Sequence, residues 1–232
     1  MTTRMLFHFH TIYSDDGCIT PEAAVQFALA NSIGILAPTD HDTIRGSLEI
    51  KKLADQHGIR VIIGAEYSSV CGDIIGLFLK EEVAARDAKE IVREIREQGG
   101  MVVLPHPYRS HQLSEWLLNS VDAVETFNAR LSKELNDQAT ELAQRLQLPQ
   151  VVGSDAHLAK ELGLVIGEID ELPNQSLREI LSAGMRPVVT WQTRLADIYR
   201  SQMVKAARRR RPLLWAKSLV RMIMTSGGSL RP

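Results

Sequence analysis

Apolar runs bounded by turn residues recur along the chain and alternate with segments of helical period. Such short runs indicate buried strands, and they lie at residues 5–10, 34–38, 61–65, 73–79, 101–104, 123–127 and 150–153. Helices are predicted at 21–31 behind an N-cap at Thr20, at 85–98 and at 132–147. Because strands that alternate with helices usually pair in parallel, the pattern predicts an α/β fold, either a barrel or a doubly wound sheet.

Charge divides the chain into a body and a tail. Residues 195–232 contain nine Lys or Arg and one acid, Asp197, out of 27 basic and 28 acidic residues in the whole chain. Residues 1–194 therefore hold 18 basic and 27 acidic side chains, a net charge of −9. We predict a domain at 1–194, whose acidity suits carboxylates gathered for metal. A basic, amphipathic, helical extension at 195–232 follows it, and Pro212 divides that extension into two helices.

The amino-acid composition excludes several classes of protein but does not indicate a function. The hydrophobic share of 44% and the charged share of 24% are those of a globular protein, which excludes a disordered or fibrous chain. Cys18 and Cys71 lack CxxC spacing, and the sequence has neither the apolar segment of a secretory signal nor a run near the roughly 18 residues of a membrane-spanning helix. We expect a cytoplasmic protein. Its tail is compatible with docking on an anionic membrane surface, on nucleic acid or on a partner protein, or with a partly disordered extension.

Strand after strand ends in side chains that bind metals. The first predicted strand ends in His8-Phe9-His10, and side chains two apart on a strand project to the same side. Other predicted strand ends carry Asp40-His41-Asp42, Glu66, His106 and Asp155-Ala156-His157, and an acidic turn at Asp15 follows the first strand. Each taken singly is also explained by a polar turn or a satisfied core histidine, but their recurrence favours a metal site. Nitrogen and oxygen ligands without thiolate suit zinc, manganese or iron.

Taken in order, these motifs resemble the PHP (polymerase and histidinol phosphatase) superfamily. The resemblance spans about residues 5–160 and rests on HxHTxxSDG from His8, with one extra residue before Gly17, TDHDT at 39–43, Glu66, HP at 106 and SDAH at 154–157. It implies a distorted (β/α)7 TIM-like barrel, the PHP fold, with a trinuclear metal centre that hydrolyses phosphate esters. The stand-alone members that act on phosphomonoesters, nucleotides or short cyclic phosphates are the most similar in type.

The resemblance also implies a ligand set for two or three divalent ions, Mn, Zn or Fe. The set is His8, His10, Glu66 and Asp155 for the first metal, Glu66, His106 and Asp73 for the second, and Asp15, His41 and His157 for the third. Many relatives have a histidine where this chain has Asp73, before Ile-Ile-Gly. The insertion of Asp16 leaves open whether Asp15 or Asp16 faces the metal.

The reaction implied is attack on phosphorus by a hydroxide whose pKa bridging metals have lowered. Arg109 is the candidate for a bidentate phosphate contact, although a surface arginine is an equal alternative. Asp40 is expected to orient a ligand histidine or to assist the proton to the leaving alkoxide. Tyr108, Glu125 and Asn128 are expected to line the pocket. We therefore expect a phosphatase or phosphodiesterase for a small phosphorylated metabolite or nucleotide, with a PHP-type nuclease or exonuclease and a non-catalytic metal-binding interaction module as alternatives.

Overall fold

The computed structural model describes residues 1–226, which form two mixed β-sheets with helices packed around them. The strands are β1 (Thr2–Phe7), β2 (Ile33–Ala37), β3 (Asp40–His41), β4 (Arg60–Val61), β5 (Gly64–Ser69), β6 (Gly72–Leu77), β7 (Met101–Leu104), β8 (Ala123–Asn128), β9 (Gln150–Gly153), β10 (Val165–Asp170) and β11 (Arg186–Thr190). The helices are α1 (Pro21–Ala30), α2 (Arg45–Ala54), α3 (Ala88–Glu97), α4 (Glu115–Leu118), α5 (Lys133–Leu146), α6 (Leu177–Ser182), α7 (Leu195–Arg208) and α8 (Pro212–Ser226), with 3₁₀ turns at Asp55–His57 and Ala159–Leu164.

The strand order confirms the predicted α/β class but only part of the predicted parallel pairing. One sheet runs β11-β10-β1-β2-β4, and the other runs β3-β5-β6-β7-β8-β9. Pairs such as β1/β2, β7/β8 and β8/β9 are parallel, whereas β1/β10, β5/β6 and β6/β7 are antiparallel. Only Val70 and Cys71 separate β5 from β6, and so short a connection permits an antiparallel hairpin but no helical crossover. A regular (β/α)7 alternation is therefore interrupted at this hairpin.

Capping residues determine where the predicted helices begin. Thr20 caps α1 through its hydroxyl, as predicted, and Ser132 caps α5 in the same way. Helix α3 begins at Ala88 rather than at residue 85, because the Asp87 carboxylate accepts N–H groups of its first turn. The apolar stripe of α3 packs on the second sheet through Ala88, Ile91, Val92 and Ile95.

The two sheets meet where β1 ends. His8 N donates to Ala37 O over 3.2 Å, at the end of β2, and His10 N donates to Ala156 O over 2.7 Å, just after β9. Phe9 also forms an isolated parallel bridge with Ala156. The segment after β1 therefore links the carboxyl ends of strands from both sheets, and the side chains at those ends lie close together.

Helices α7 and α8 form a pair, and the break between them at Pro212 agrees with the sequence. The two helices contact each other, and α7 also contacts the body through Asp197 and Ser201, which hydrogen-bond to Lys160 and Arg130. Helix α8 leaves Leu213 and Met224 largely exposed. Among residues 1–226, no helix combines the length and the apolar character needed to cross a membrane. The domain boundary at 194 stays a prediction.

Candidate metal centre

Buried histidines and carboxylates converge at the strand ends. Their ligand atoms lie within 4.8 Å of one another in overlapping groups, which are His10, Asp16, His41 and His157; His8, Glu66 and His106; and His8, His10 and Asp155. All of these side chains except the partly buried His41 are buried. The structure thus brings together side chains that lie far apart in the sequence and that were predicted as metal ligands, with Asp16 as an addition.

Unusual backbone conformations place several of these side chains. His8, His106 and Asp155 have φ values of 56°, 30° and 47°, in the left-handed region that non-glycine residues seldom adopt. Strand β1 consequently ends at Phe7 and not at residue 10, so simple alternation along a strand is not what sets His8 beside His10. Strain of this kind costs on the order of 1–3 kcal/mol per residue and is concentrated at functional sites.

Glu66 stands between two of the groups. Its Oε1 lies 2.9 Å from His106 Nε2 and 3.6 Å from His8 Nε2. Its Oε2 lies 3.4 Å from His10 Nε2 and 3.2 Å from His41 Nδ1. One carboxylate therefore touches both sides of the centre, which is the position of a bridging ligand.

Asp155 is the second carboxylate at the middle of the centre. Its Oδ1 lies 3.4 Å from His10 Nε2, 3.8 Å from His8 Nε2 and 3.5 Å from His157 Nδ1. Its Oδ2 accepts a hydrogen bond from Arg109 Nη1 over 3.0 Å. The guanidinium predicted to contact phosphate thus borders the centre, and at 45% side-chain exposure it is open to a ligand.

The third carboxylate is Asp16, not the predicted Asp15. Asp16 Oδ1 lies 3.4 Å from His157 Nε2, and its Oδ2 lies 3.5 Å from His41 Nε2. The Asp15 side chain is 45% exposed and pairs with Arg209, whose Nε donates to Asp15 Oδ2 over 2.6 Å. The extra residue in the motif thus puts the second of the two aspartates, rather than the first, beside the histidines.

Asp73, the other acidic residue predicted as a ligand, lies outside these groups. Its Oδ1 accepts from Ser68 Oγ over 2.8 Å, on the neighbouring strand β5. Its main-chain oxygen is 2.9 Å from His111 Nε2, and the His111 ring lies 5.6 Å from the ring of His106. His111 lies in a polar loop, and its position in the sequence carries no spacing signal that would indicate the site.

Glu125 and Asn128 support the centre from behind. Glu125 Oε1 lies 2.7 Å from His8 Nδ1, and its Oε2 accepts from His106 N and from Asn128 Nδ2, each over 2.9 Å. Asn128 is fully buried, so it is placed to hold Glu125 rather than to meet solvent. Tyr108, the remaining residue predicted to line the pocket, packs half-buried against the apolar cluster around α3.

Asp40 organises the loop that follows β1. It accepts from Thr11 N over 2.6 Å, from Thr11 Oγ1 over 2.7 Å and from Ser14 Oγ over 2.8 Å. Ser14 Oγ in turn lies 3.2 Å from His10 Nδ1. Asp40 is therefore connected to the ligand histidine His10 through Ser14. Burial raises the pKa of Asp40, although the bonds from Thr11 oppose that rise.

Charges within the centre set the protonation of its members. Burial lowers the pKa of His10 to about 3, helped by His157 and His41. Burial alone would raise the pKa of Asp16, but contacts with His157 and His41 hold it well below its usual range. Burial alone would lower the pKa of His41, but the carboxylates of Asp16 and Glu66 raise it to about 9, so metal binding at His41 would have to displace a proton.

Buried polar atoms in the centre also lack hydrogen-bond partners. Within the described part of the chain, these atoms are His8 Nε2, His10 Nε2, Asp16 Oδ1, His41 Nδ1 and His106 Nδ1. A buried polar atom without a partner costs about 1–3 kcal/mol, so native proteins rarely leave several of them together. Metal coordination would give most of these atoms a partner.

Comparison with known proteins identifies the family. The family model for the PHP-associated region matches residues 133–184. A two-domain protein from Bacteroides vulgatus that contains a predicted PHP-like metal-dependent phosphoesterase superimposes with a TM-score of 0.70 at 19% identity, over 87% of this chain and 69% of that one. The chain belongs to the PHP superfamily.

Two known proteins share parts of the sequence. Uncharacterized protein MJ1587 of Methanocaldococcus jannaschii is 38% identical over 136 residues, which cover 53% of this chain and 80% of that protein. The 5'-3' exoribonuclease Rnm of Escherichia coli is 42% identical over 65 residues, which cover 27% of this chain and 22% of that protein. The chain therefore spans most of the first relative and a small part of the second.

Two further cations border the PHP centre and were missed from the sequence. Arg130 Nη1 lies 3.4 Å from His157 Nε2, and Lys205 Nζ donates to Asp16 Oδ2 over 2.7 Å. Arg130 follows β8 in a loop without a recognisable motif. Lys205 belongs to α7, in the basic segment that the charge pattern sets apart as a tail.

Proposed function

We propose that this protein is a metal-dependent phosphoric ester hydrolase that acts on a small phosphorylated metabolite or nucleotide. The observation that carries the proposal is the set of buried ligand groups that overlap through His8 and His10, with Glu66 between them and Arg109 at the edge. Two-metal sites of this composition are typical of enzymes that cleave phosphate esters. The phosphoesterase description of the Bacteroides structure supports the same reaction class.

The donor set suits two or three divalent ions such as Mn, Zn or Fe, since it consists of imidazole nitrogens and carboxylate oxygens. We assign His8, His10, Glu66 and Asp155 to one ion, Glu66 and His106 to a second, and Asp16, His41 and His157 to a third. When bound, the ions would supply Lewis-acid stabilisation and lower the pKa of a coordinated water.

The residues around the ligands have positioning and binding roles. Glu125 orients His8 and holds the backbone at His106, so that two ligands keep one geometry. The Arg109 guanidinium offers paired donors that match two oxygens of a phosphoryl group. Its ion pair with Asp155 fixes the side chain at the edge of the centre, where a phosphoryl group would meet it.

A second candidate function is 5'-3' exoribonuclease activity, which the similarity to Rnm favours. The shared segment is short, and residues 1–194 carry a net charge of −9, which opposes a long contact with a polyanionic backbone. A non-catalytic module is the other alternative, and the convergence of buried ligands in three overlapping groups argues against it. We therefore rank the small substrate above the nucleic acid.

The test is elemental analysis together with hydrolysis of a generic phosphomonoester, a phosphodiester and a short single-stranded RNA. For the native chain we expect two or three equivalents of metal and turnover of the monoester or the diester. Asp155→Asn should lower activity by about 100-fold or more, because metal stabilisation contributes several kcal/mol. Asp170→Asn, at an exposed position, is the control. A metal-free native protein without activity would favour the interaction module, and cleavage of the RNA alone would favour the exoribonuclease.

A further inference from the structure

Helix α7 turns a polar side toward the body of the protein. A helix on a protein surface normally buries an apolar stripe. The buried residues of α7 are instead Asp197, Ser201 and Ala206, and Lys205 shares the face of the two polar ones at a spacing of i, i+4 and i+8. A face that buries polar groups next to a cluster of ionisable side chains calls for a role beyond packing.

Each polar residue on this face has a specific partner in the body. Asp197 Oδ1 accepts from Lys160 Nζ over 2.6 Å, and Ser201 Oγ accepts from Arg130 Nη2 over 2.6 Å. Lys205 Nζ donates to Asp16 Oδ2 over 2.7 Å. These contacts fix the register of α7, so that Lys205 and Ser201 are held against the centre.

The loop that contains Asp16 is fastened to the same helix. Arg208 Nη1 donates to Ser14 O over 2.6 Å and to Gly17 O over 3.0 Å. Helix α7, which carries Lys205, is therefore held to the loop that carries Asp16. The position of the Lys205 ammonium relative to the centre is set by main-chain contacts as well as by its own ion pair.

Arg130 and Lys205 flank the same two ligand residues. Arg130 Nη1 is 3.4 Å from His157 Nε2, and Lys205 contacts Asp16, which itself lies 3.4 Å from His157 Nε2. Arg130 Nε is buried and has no hydrogen-bond partner in the described residues. If metal takes the lone pairs of His157 and Asp16, an ammonium and a guanidinium are left at the edge of the centre with donors available.

We propose that Arg130 and Lys205 form an anion subsite that binds the phosphoryl group of the substrate, which makes α7 a wall of the active site. This inference rests on the proposed phosphoesterase function. An ammonium and a guanidinium that flank two neighbouring ligand residues offer charge-assisted donors to the oxygens of a phosphate dianion. Arg109 reaches the centre from the loop after β7 and contacts Asp155, so the subsite adds cations at the other ligand residues.

The test is calorimetric titration of inorganic phosphate into the metal-loaded full chain. We expect Lys205→Met and Arg130→Met each to raise the phosphate Kd by roughly 10- to 100-fold, the size expected for one lost charge-assisted hydrogen bond. Ser201→Ala keeps both charges and removes only the hydrogen bond that positions Arg130, so it should raise the phosphate Kd by a smaller factor. The KM for p-nitrophenyl phosphate should rise in parallel while the metal content stays at the native value.

Arg209→Met is the matched control, because it removes a cation from the same end of α7 that pairs with the exposed Asp15. Its phosphate Kd should stay within about twofold of the native value, since the long-range field of one exposed charge is screened by salt. Native phosphate affinity in both Lys205→Met and Arg130→Met at full metal content would overturn the subsite and leave the phosphoesterase intact.

Two other outcomes would also overturn the subsite. If Lys205→Met loses metal, and restoring the metal restores phosphate binding, Lys205 is only the counter-ion of Asp16. If the metal-loaded native chain binds no phosphate and hydrolyses no ester, the phosphoesterase function fails together with the subsite.

Discussion

At the scale of single residues, two adjacent aspartates have opposite surroundings. Ser14 and Asp16 are buried and point into the centre, whereas Asp15 between them points outward to Arg209. The contacts with His157 and His41 keep the pKa of Asp16 well below its usual range, so it is ionised and available to metal at neutral pH. Asp16 can therefore be substituted to test metal binding, and the same substitution at Asp15 is the matched control.

Asp16→Asn should lower the bound metal by about one equivalent, because an amide oxygen is a much weaker ligand than a carboxylate for Zn, Mn or Fe. Asp15→Asn should leave the metal content unchanged. Elemental analysis after dialysis against a weak chelator measures both. The reverse result would mean that the loop shifts on metal binding and that Asp15, the residue favoured from the sequence, is the ligand.

The ligand positions could be predicted because short motifs with metal-binding side chains followed each apolar run. His8, His10, Glu66, His106 and Asp155 all lie in the buried groups that the structure forms. The sequence left open whether Asp15 or Asp16 faces the metal, because spacing does not give the direction of a side chain in an irregular turn, and Asp73 lies outside the groups. Arg130 and Lys205 were missed because they reach the centre only through tertiary packing.

At the scale of secondary structure elements, helix α2 approaches the centre so closely that it requires a glycine. A Cβ atom at Gly46 would lie 1.9 Å from Asp40 Oδ2 and 2.4 Å from Thr11 Oγ1. Asp40 is the residue that holds the loop after β1, so the packing of α2 and the order of that loop depend on each other. The contact links a helix to the ligands without any ligand on the helix.

Gly46→Ala should therefore lower the free energy of unfolding by about 1–3 kcal/mol, the usual cost of overpacking. It should also weaken metal binding, because displacing Asp40 releases Ser14 from His10. Urea denaturation and chelator competition measure the two effects. Leu48→Ala, on the exposed side of the same helix, should change stability by less than about 0.5 kcal/mol. A stable Gly46→Ala variant with native metal affinity would show that the packing of α2 does not affect the metal centre.

Elements were predictable where local signals were strong. The strands at Met101–Leu104 and Gln150–Gly153 have the predicted bounds, and α1 and α5 begin behind capping hydroxyls. The single run predicted at 61–65 is instead divided between β4 and β5. Strands β10 and β11 were not predicted, and the antiparallel placement of β10 beside β1 depends on residues far apart in the chain.

At the scale of the whole molecule, the acidic body and the basic tail meet at the centre. Residues 1–194 carry a net charge of −9, and Lys205 of α7 and Arg209 directly after it pair with Asp16 and Asp15 in the loop beside the ligands. The tail thus offsets part of the negative charge that the ligands concentrate. Bound metal would offset the rest, so stability of the whole chain should depend on metal.

Removing metal should lower the Tm of the native protein. A ligand that binds only the folded state stabilises it by about 2.7 kcal/mol per site at a free concentration of 100 times its Kd. For a chain of this size, that corresponds to roughly 5–10 °C. Differential scanning calorimetry with and without a strong chelator measures the shift. Asp155→Asn should respond less to the chelator because it has already lost a ligand of the first ion. An identical Tm in both conditions would mean that the buried carboxylates and histidines are satisfied by their mutual contacts, and the metal assignment would then have to be abandoned.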